Sequence, residues 1–341
     1  MKKPILFFVF LFSANFLIAQ GSLTFNPAIP NVFFGNVDFT FDLDGGGARY
    51  DLSVEVSFDN GGNWDDIPPA YISGQLINVE PGQGISLQWN AMSSFPGQVT
   101  SEALLRVTAQ HVCGTDFTFN YSGEEVTYGT VSVTYNEGTV DEYSLCWLDR
   151  NLGAEPMPFV PEEDAAGNTD IRLYGDLFQW GRLDDGHQVV DWTSSPTDVT
   201  STTSVLSTTN VPGHSEFIAT SDSPNDWRSP QNDDLWQGTD GINNPCPTGW
   251  RVPDETELDD ERLSWGSTNS SGAFDSPLKW PTTGFRVTNG PIFNEDATGR
   301  VWSSSVDGYR AISLYFFSSE ADLNEDLRSY GSSVRCVRDA W

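Results

Sequence analysis

Between Pro156 and Asn244 the chain has neither a helical period nor sustained strand alternation; Ser, Thr, Asp, Asn and Gly dominate it. So long an irregular stretch is unusual inside a compact domain. It predicts a loop-rich fold held by large side chains and crosslinks rather than by long ladders of backbone hydrogen bonds. The material is present: 12 Trp, 22 Phe and four Cys, within 341 residues of which 38% are apolar. That apolar content supplies a core, so the formal charge of -31 does not signal disorder.

The first residues read MKKPILFFVFLFSANFLIAQ. Two lysines, an apolar run from Ile5 to Ile18 and the small residue Ala19 are the plan of a secretory signal peptide over residues 1–19, too short for a comfortable membrane span. No later stretch approaches the ~20 apolar residues of a membrane helix. After cleavage Lys279 is the one lysine left. A chain this acidic repels nucleic acid, whose binding rests on phosphate neutralisation, and disfavours anionic membrane surfaces. An even number of cysteines in an exported chain reads as two disulfides, and none of Cys113, Cys146, Cys246 and Cys336 has the CxxC spacing of a zinc or redox site. Four cysteines allow three pairings, and spacing does not choose among them. The chain closes on Arg338-Asp-Ala-Trp341, so soluble secretion or periplasmic residence is expected rather than covalent surface attachment.

Residues 20–110 are strand-like. Leu52, Val54, Val56 and Phe58 alternate with polar residues, the period of a strand with one buried face. Asp59-Asn60-Gly61-Gly62 follows as a tight turn. Ile85–Trp89 and Leu104–Thr108 read as further strands, punctuated by Pro68-Pro69, Pro81-Gly82 and Pro96-Gly97. Short strands at this spacing predict an all-β sandwich, similar in pattern to immunoglobulin-like or fibronectin type III modules. Ser57-Phe-Asp59-Asn-Gly61-Gly-Asn63-Trp64 resembles the Asp-box hairpin of sialidase-type propellers, in which the Asp carboxylate pins the turn. One copy does not make a propeller, which repeats in every blade, so the reading is a well-packed hairpin.

Residues 111–341 carry motifs in one order: Cys146-Trp-Leu-Asp-Arg150-Asn151-Leu-Gly153, Tyr174-Gly-Asp-Leu-Phe-Gln-Trp180-Gly181-Arg182, Asp226-Trp227-Arg228 and Leu235-Trp236. Asn244-Pro-Cys246-Pro-Thr-Gly-Trp250-Arg251-Val-Pro253-Asp-Glu-Thr-Glu257-Leu258, Gly284-Phe-Arg286, Val301-Trp302-Ser303-Ser304-Ser305 and Ser333-Val-Arg335-Cys336-Val337 complete the set. A short helix is predicted over Asp254 to Leu263, with Asp254 as N-cap, Glu257 completing a capping box, and Leu258 and Leu263 facing inward. The set resembles the Fibrobacter succinogenes major paralogous domain, a family of exported bacterial proteins, and more distantly the C-type lectin-like fold with its sulfatase-modifying-factor branch. The resemblance implies a loop-rich α+β C-type lectin-like domain. It also implies that Cys246 bonds Cys336, leaving Cys113 to Cys146.

Catalytic spacings are not found. The oxidases of that branch use a closely spaced pair of reactive cysteines, which this chain lacks. His111, His187 and His214 have no metal-binding spacing, and His187 lies in a turn-like Asp184-Asp185-Gly186 context. Triads and carboxylate pairs assemble in space and stay open at this point. The acidic stretch Asp222, Asp226, Asp233, Asp234, Asp240 is either a solvated loop or a structural calcium site, since calcium takes hard oxygen ligands. Trp180, Trp250 and Trp302 are expected in the core. Trp192, Trp227 and Trp236 sit in polar loops and are the candidates for a glycan-stacking face. Arg251 and Arg335 are expected to pair with internal carboxylates. The chain thus reads as an exported non-catalytic binding or adhesion protein whose partner is a glycan or a cell-surface protein. The alternatives are a secreted hydrolase, a formylglycine-generating-like enzyme, or a structural envelope component.

Overall fold

The computed structural model describes residues 23–31, 35–43, 49–98, 103–155, 171–192 and 201–339. The expected signal segment lies outside these residues, as do 156–170 and 193–200 of the irregular stretch. The protein is mostly β, built from several small, mainly antiparallel sheets and no barrel. It forms two compact units that divide between Thr118 and Phe119.

The N-terminal unit contains β1 (Leu23–Asn31), β2 (Asn36–Leu43), β3 (Tyr50–Ser57), β4 (Asp65–Asp66), β5 (Ile72–Ser73), β6 (Gly82–Asn90), a helical turn α1 (Ala91–Ser94) and β7 (Leu104–His111). One sheet runs β1-β2-β6-β5, the other β4-β3-β7. Alternation decides which side chains go inside. Val37, Phe39, Phe41 and Leu43 of β2 share one core with Leu52, Val54 and Val56 of β3, Leu87 and Trp89 of β6, and Leu105, Val107 and Ala109 of β7. Each large apolar side chain buried this way stabilises the fold by roughly 1.5–3 kcal/mol.

The Ser57–Trp64 hairpin is pinned as its sequence pattern implies. Asp59 accepts hydrogen bonds from the Asn63 backbone N–H at 2.8 Å, the Asn63 side chain at 2.6 Å and the Ser57 hydroxyl at 2.8 Å. These donors, Asn63 first, hold the Asp59 carboxyl down to about 2. Asn60 and Gly61 take the left-handed conformation, with φ of 56° and 91°, that the turn requires. Trp64 is half-buried beneath the Arg106 guanidinium, 4.2 Å from its ring centre, and Arg106 is bidentate on Glu55 at 2.5 and 2.6 Å.

The C-terminal unit begins with the hairpin β8 (Phe117–Tyr121) and β9 (Glu124–Tyr128), in whose first strand the division falls. Next come β10 (Thr130–Tyr135), β11 (Tyr143–Leu148), β12 (Phe178–Gln179), β13 (Thr202–Thr203), β14 (Phe217–Ile218), α2 (Glu255–Ser264) and α3 (Ser270–Asp275). The chain finishes with β15 (Phe285–Arg286), β16 (Ile292–Phe293), β17 (Thr298–Asp307), β18 (Arg310–Phe317), β19 (Ala321–Leu327), β20 (Gly331–Ser332) and β21 (Val337–Asp339). Its main sheets are β10-β11-β21, β17-β18-β19 and β12-β20-β15-β16. Trp147, Trp265, Trp280, Leu258, Leu314, Phe316 and Val337 lie in one core cluster, so the first two of these sheets and both helices close on a shared interior.

Helix α2 starts where local signals place it. Asp254 accepts from the Glu257 N–H at 2.9 Å, and the Glu257 carboxylate accepts from the Asp254 N–H at 2.8 Å. Leu258 is buried, but Leu263 is 59% exposed, against expectation. Five residues make about one and two-fifths turns at 3.6 residues per turn, which carries Leu263 to the far side. The inward place three residues on from Leu258 belongs to Glu261. Just before the helix, Arg251 exchanges backbone hydrogen bonds with Val337 at 2.8 and 2.9 Å. Beside this bridge Cys246 and Cys336 form a disulfide, with Cα atoms 5.7 Å apart. Cys113 and Cys146 are disulfide-bonded as well, so no thiol is free.

Candidate functional site

The three loop tryptophans part company. Trp227 and Trp236 are fully buried, and this overturns their placement on a ligand face. The Trp227 indole N–H donates to the Trp180 carbonyl at 2.7 Å, and that of Trp236 to the Arg182 carbonyl at 3.3 Å. Polar loops leave backbone carbonyls that need donors, and an indole brings a donor together with a large apolar surface. Trp180, Trp250 and Trp302 are also fully buried.

Trp192 is half-buried. Its indole N–H donates to the Gly175 carbonyl at 2.8 Å, and its ring meets Tyr174 edge-on at 4.9 Å. Tyr174 in turn donates its hydroxyl to Asp296. Next to Asp296, partial burial and the Asp296 charge raise the Glu295 carboxyl. The result is a partly exposed indole fixed at both its N–H and its edge, connected through Tyr174 to a pair of adjacent carboxyl residues.

The acidic stretch does not gather its carboxylates at one point. Asp226 is buried and accepts from Gln231 at 3.0 Å; Asp233 is exposed. Both face the buried Arg328, at 3.9 and 2.7 Å respectively. Asp222, Asp234 and Asp240 are exposed, and among the described residues no three His, Cys, Asp or Glu side chains gather in a metal-holding group. The counter-charge that Asp226 and Asp233 share is the Arg328 guanidinium just after β19 rather than a common set of carboxylates.

Arg251 is bidentate on Glu257 at 2.6 Å for both contacts, as expected. Arg335 departs from expectation. It donates to the Asn151 side chain at 3.1 Å and to the Leu278 carbonyl, and stacks 4.2 Å from the Trp280 ring centre. Burial brings its guanidinium down to about 10, opposed by the nearby charges of Asp149 and Glu261.

His187 has the second-best claim to chemistry. Its Nδ1 lies 2.6 Å from Asp185, the orientation seen when a carboxylate positions a general base. But its Nε2 accepts the Gln179 backbone N–H at 3.0 Å, and the ring is fully buried. The atom that would take a nucleophile's proton is therefore occupied. Asp185 is further committed to Arg182, at 2.7 and 3.1 Å. The other histidines are likewise engaged: His111 Nε2 contacts the Asp116 carbonyl at 3.0 Å, and His214 Nδ1 accepts from the Glu216 N–H at 3.2 Å.

Neither a family model nor a curated protein nor a solved structure matches this chain.

The buried ionisable groups set a pH response. Burial holds His187 down to about 3, with the Arg182 charge assisting, and raises Asp176 to about 6 against its hydrogen bond from Tyr121. As pH falls below the ordinary histidine value of ~6.5, the unfolded chain takes up a proton that native His187 refuses, so stability is lost. Between about 6 and 4 native Asp176 takes up a proton that the unfolded chain refuses, so stability is gained. The two effects oppose each other in that window. Asp176→Asn is therefore expected to be increasingly destabilising relative to the parent as pH falls from 6 to 4, by on the order of 1 kcal/mol per pH unit. Urea unfolding at pH 7, 5.5 and 4, followed by tryptophan fluorescence, measures this; a difference constant with pH would refute it. All tryptophans but Trp64 and Trp89 lie in the C-terminal unit, so the signal reports it.

Asp176, Gln179, Arg182 and Asp185 join the buried polar group without having stood out in the sequence as site residues. A signal existed for three of them: charged or amide residues embedded among the large apolar residues of the Tyr174–Arg182 motif. Arg328 and Glu261 had none, because each sits in an ordinary charged context in the chain.

Proposed function

We propose that this protein is an exported, non-catalytic binding protein, and that its C-terminal unit adopts a C-type lectin-like fold of the Fibrobacter succinogenes major paralogous type and takes a glycan on the Trp192 face. The capped helix tied by a disulfide to the last strand, the small sheets and the tryptophan-rich interior support the fold assignment. In the N-terminal unit, two antiparallel sheets sharing one core support an immunoglobulin-like or fibronectin III-like sandwich. Two disulfides favour an oxidising compartment, and among the described residues no helix is long and apolar enough to cross a membrane.

The observation that carries the reading is Trp192. Sugars present C–H faces that stack on an indole and hydroxyls that donate to carboxylates. An indole held at its N–H and its edge loses little freedom when a ligand lands, which favours affinity. Trp192→Ala is expected to weaken retention on immobilised xylan, mannan, cellulose or chitin at least tenfold while leaving the unfolding midpoint near that of the parent. Trp227→Ala is expected to cost the C-terminal unit roughly 3–5 kcal/mol, as for other buried aromatics. Retention by Trp192→Ala equal to that of the parent on every matrix would remove the site from this surface.

A further inference from the structure

The β17-β18-β19 sheet carries a second group of aromatic rings, on the side turned away from the core. Leu314 and Phe316 of β18 enter the core cluster, so the alternate residues Tyr315 and Phe317 project from the opposite face. Both are partly exposed, and their rings meet at 5.5 Å. Tyr315 stands opposite Arg300 of β17 in register. The buried Arg300 guanidinium lies 4.1 Å from the ring centre of Phe285, 4.9 Å from that of Tyr315 and 5.6 Å from that of Tyr330. Its charge is met in place by Asp326, which also accepts from Ser313. Phe285 touches Tyr330 at 5.5 Å and pairs across β15 and β16 with Phe293, which is 57% exposed. Directly paired residues project to the same side of a sheet, so Phe293 extends the group.

These rings are held from within and open to solvent. A guanidinium within about 6 Å of three rings attracts all of them, which limits their freedom before any ligand arrives. Tyr315 and Tyr330 each keep part of the ring in solvent, and neither hydroxyl bonds to another described residue. Acceptors stand beside them: the exposed Asp322 is registered opposite Tyr315, and Glu295 and Asp296 follow Phe293 by two and three residues. Flat apolar rings flanked by carboxylates suit a pyranose, whose C–H face stacks while its hydroxyls donate. The formal charge of -31 disfavours uronate or sulfated sugars, which leaves neutral ones. Asp296, the acceptor of the Tyr174 hydroxyl beneath Trp192, lies four residues before Arg300. Four residues of chain span at most ~14 Å, so the two aromatic groups lie near one another.

We propose that Tyr315 and Tyr330 form a second saccharide subsite, and that together with Trp192 they take an internal stretch of a neutral polysaccharide rather than a single terminal sugar. This rests on the reading of Trp192 as a glycan face and adds the class of ligand.

The test titrates the full mature chain, by calorimetry, with the disaccharide and the hexasaccharide of xylan, mannan, cellulose and chitin. At least one hexasaccharide is expected to bind the parent about tenfold or more tightly than its disaccharide, a comparison that needs no variant. Tyr315→Leu and Tyr330→Leu keep an apolar contact for Arg300 but remove the flat ring. Each is expected to weaken the hexasaccharide about tenfold while leaving the disaccharide affinity, set by Trp192, unchanged, which also shows that the variant is folded. Tyr315→Phe, which keeps the ring, is expected to bind the hexasaccharide nearly as the parent does. A hexasaccharide that binds the parent no tighter than the disaccharide would overturn the proposal. So would hexasaccharide binding that Trp192→Ala abolishes and both leucine variants retain, and in that case the Trp192 face would stand. Binding lost in the leucine variants but kept in Trp192→Ala would support the tyrosine subsite and remove the Trp192 face. No binding of any of these sugars by the parent would overturn both.

Discussion

Glu261→Ala is expected to destabilise the C-terminal unit by roughly 4 kcal/mol or more. Glu261 is fully buried, and its carboxylate accepts three hydrogen bonds: from the Tyr135 hydroxyl at 2.8 Å and from the Trp265 and Trp280 indoles, both at 2.9 Å. Truncation orphans all three donors inside the core, and each buried group left unsatisfied costs about 1–3 kcal/mol. The cavity left by the side chain adds to this. Glu261→Gln is the informative companion. Its amide oxygen can keep both indole bonds, and its NH2 can donate to the Tyr135 hydroxyl oxygen, so what is lost is the charge that strengthens all three. It should fall between the parent and the alanine variant. Urea titration followed by tryptophan fluorescence reads both, since Trp265 and Trp280 report on the site itself. An alanine variant within about 1 kcal/mol of the parent would show that these donors find other partners.

Removing the bridge between Cys246 and Cys336, by replacing both with alanine, should have an effect of similar size. The cysteines are 90 residues apart. In the loop-entropy model a crosslink of that span restricts the unfolded chain by about 4–5 kcal/mol. The bridge also flanks the Arg251–Val337 backbone pairing that docks the start of α2 on β21. The double variant is expected to unfold at markedly lower denaturant concentration with a similar dependence on denaturant. A midpoint within a few tenths molar of the parent would mean that the aromatic core alone closes the loop. Reduction of the parent with a membrane-permeant thiol is a weaker test, because it opens the other bridge too.

The two stability predictions and the binding proposals concern different layers of the same unit. Glu261 and the Asp185–His187–Arg182 group each have their hydrogen-bonding capacity taken up by neighbours within the fold. They make the interior of a loop-rich domain specific at the cost of leaving little there for chemistry. What remains for a ligand is surface, and the exposed part of Trp192 is the aromatic face the loops leave there.

Much of this was legible one element at a time. The alternation of Leu52, Val54 and Val56 placed β3 and its buried face, because a strand's side chains alternate whatever surrounds them. The box formed by Asp254 and Glu257 placed the start of α2, because both partners lie within one helical turn. The Asp59 turn was legible for the same reason. Leu263 was not, since which side of a short helix faces inward depends on where the helix docks. Nor could the polar loops reveal that Trp227 and Trp236 are interior while Trp192 reaches the surface. The indoles of the first two satisfy carbonyls of Trp180 and Arg182, which lie 47 and 54 residues away.

Features that depend on neighbours within a few residues were thus fixed locally: strand faces, turns, the helix cap, and a supply of aromatics and cysteines rich enough to hold irregular loops. Which polar group meets which was settled by the folded arrangement. Tyr135 finds Glu261 across 126 residues, and acids that read as calcium ligands find Arg328 instead. The reason is physical: a buried polar group is satisfied by whichever complementary atom the fold brings within about 3 Å, and separation along the chain does not restrict that choice.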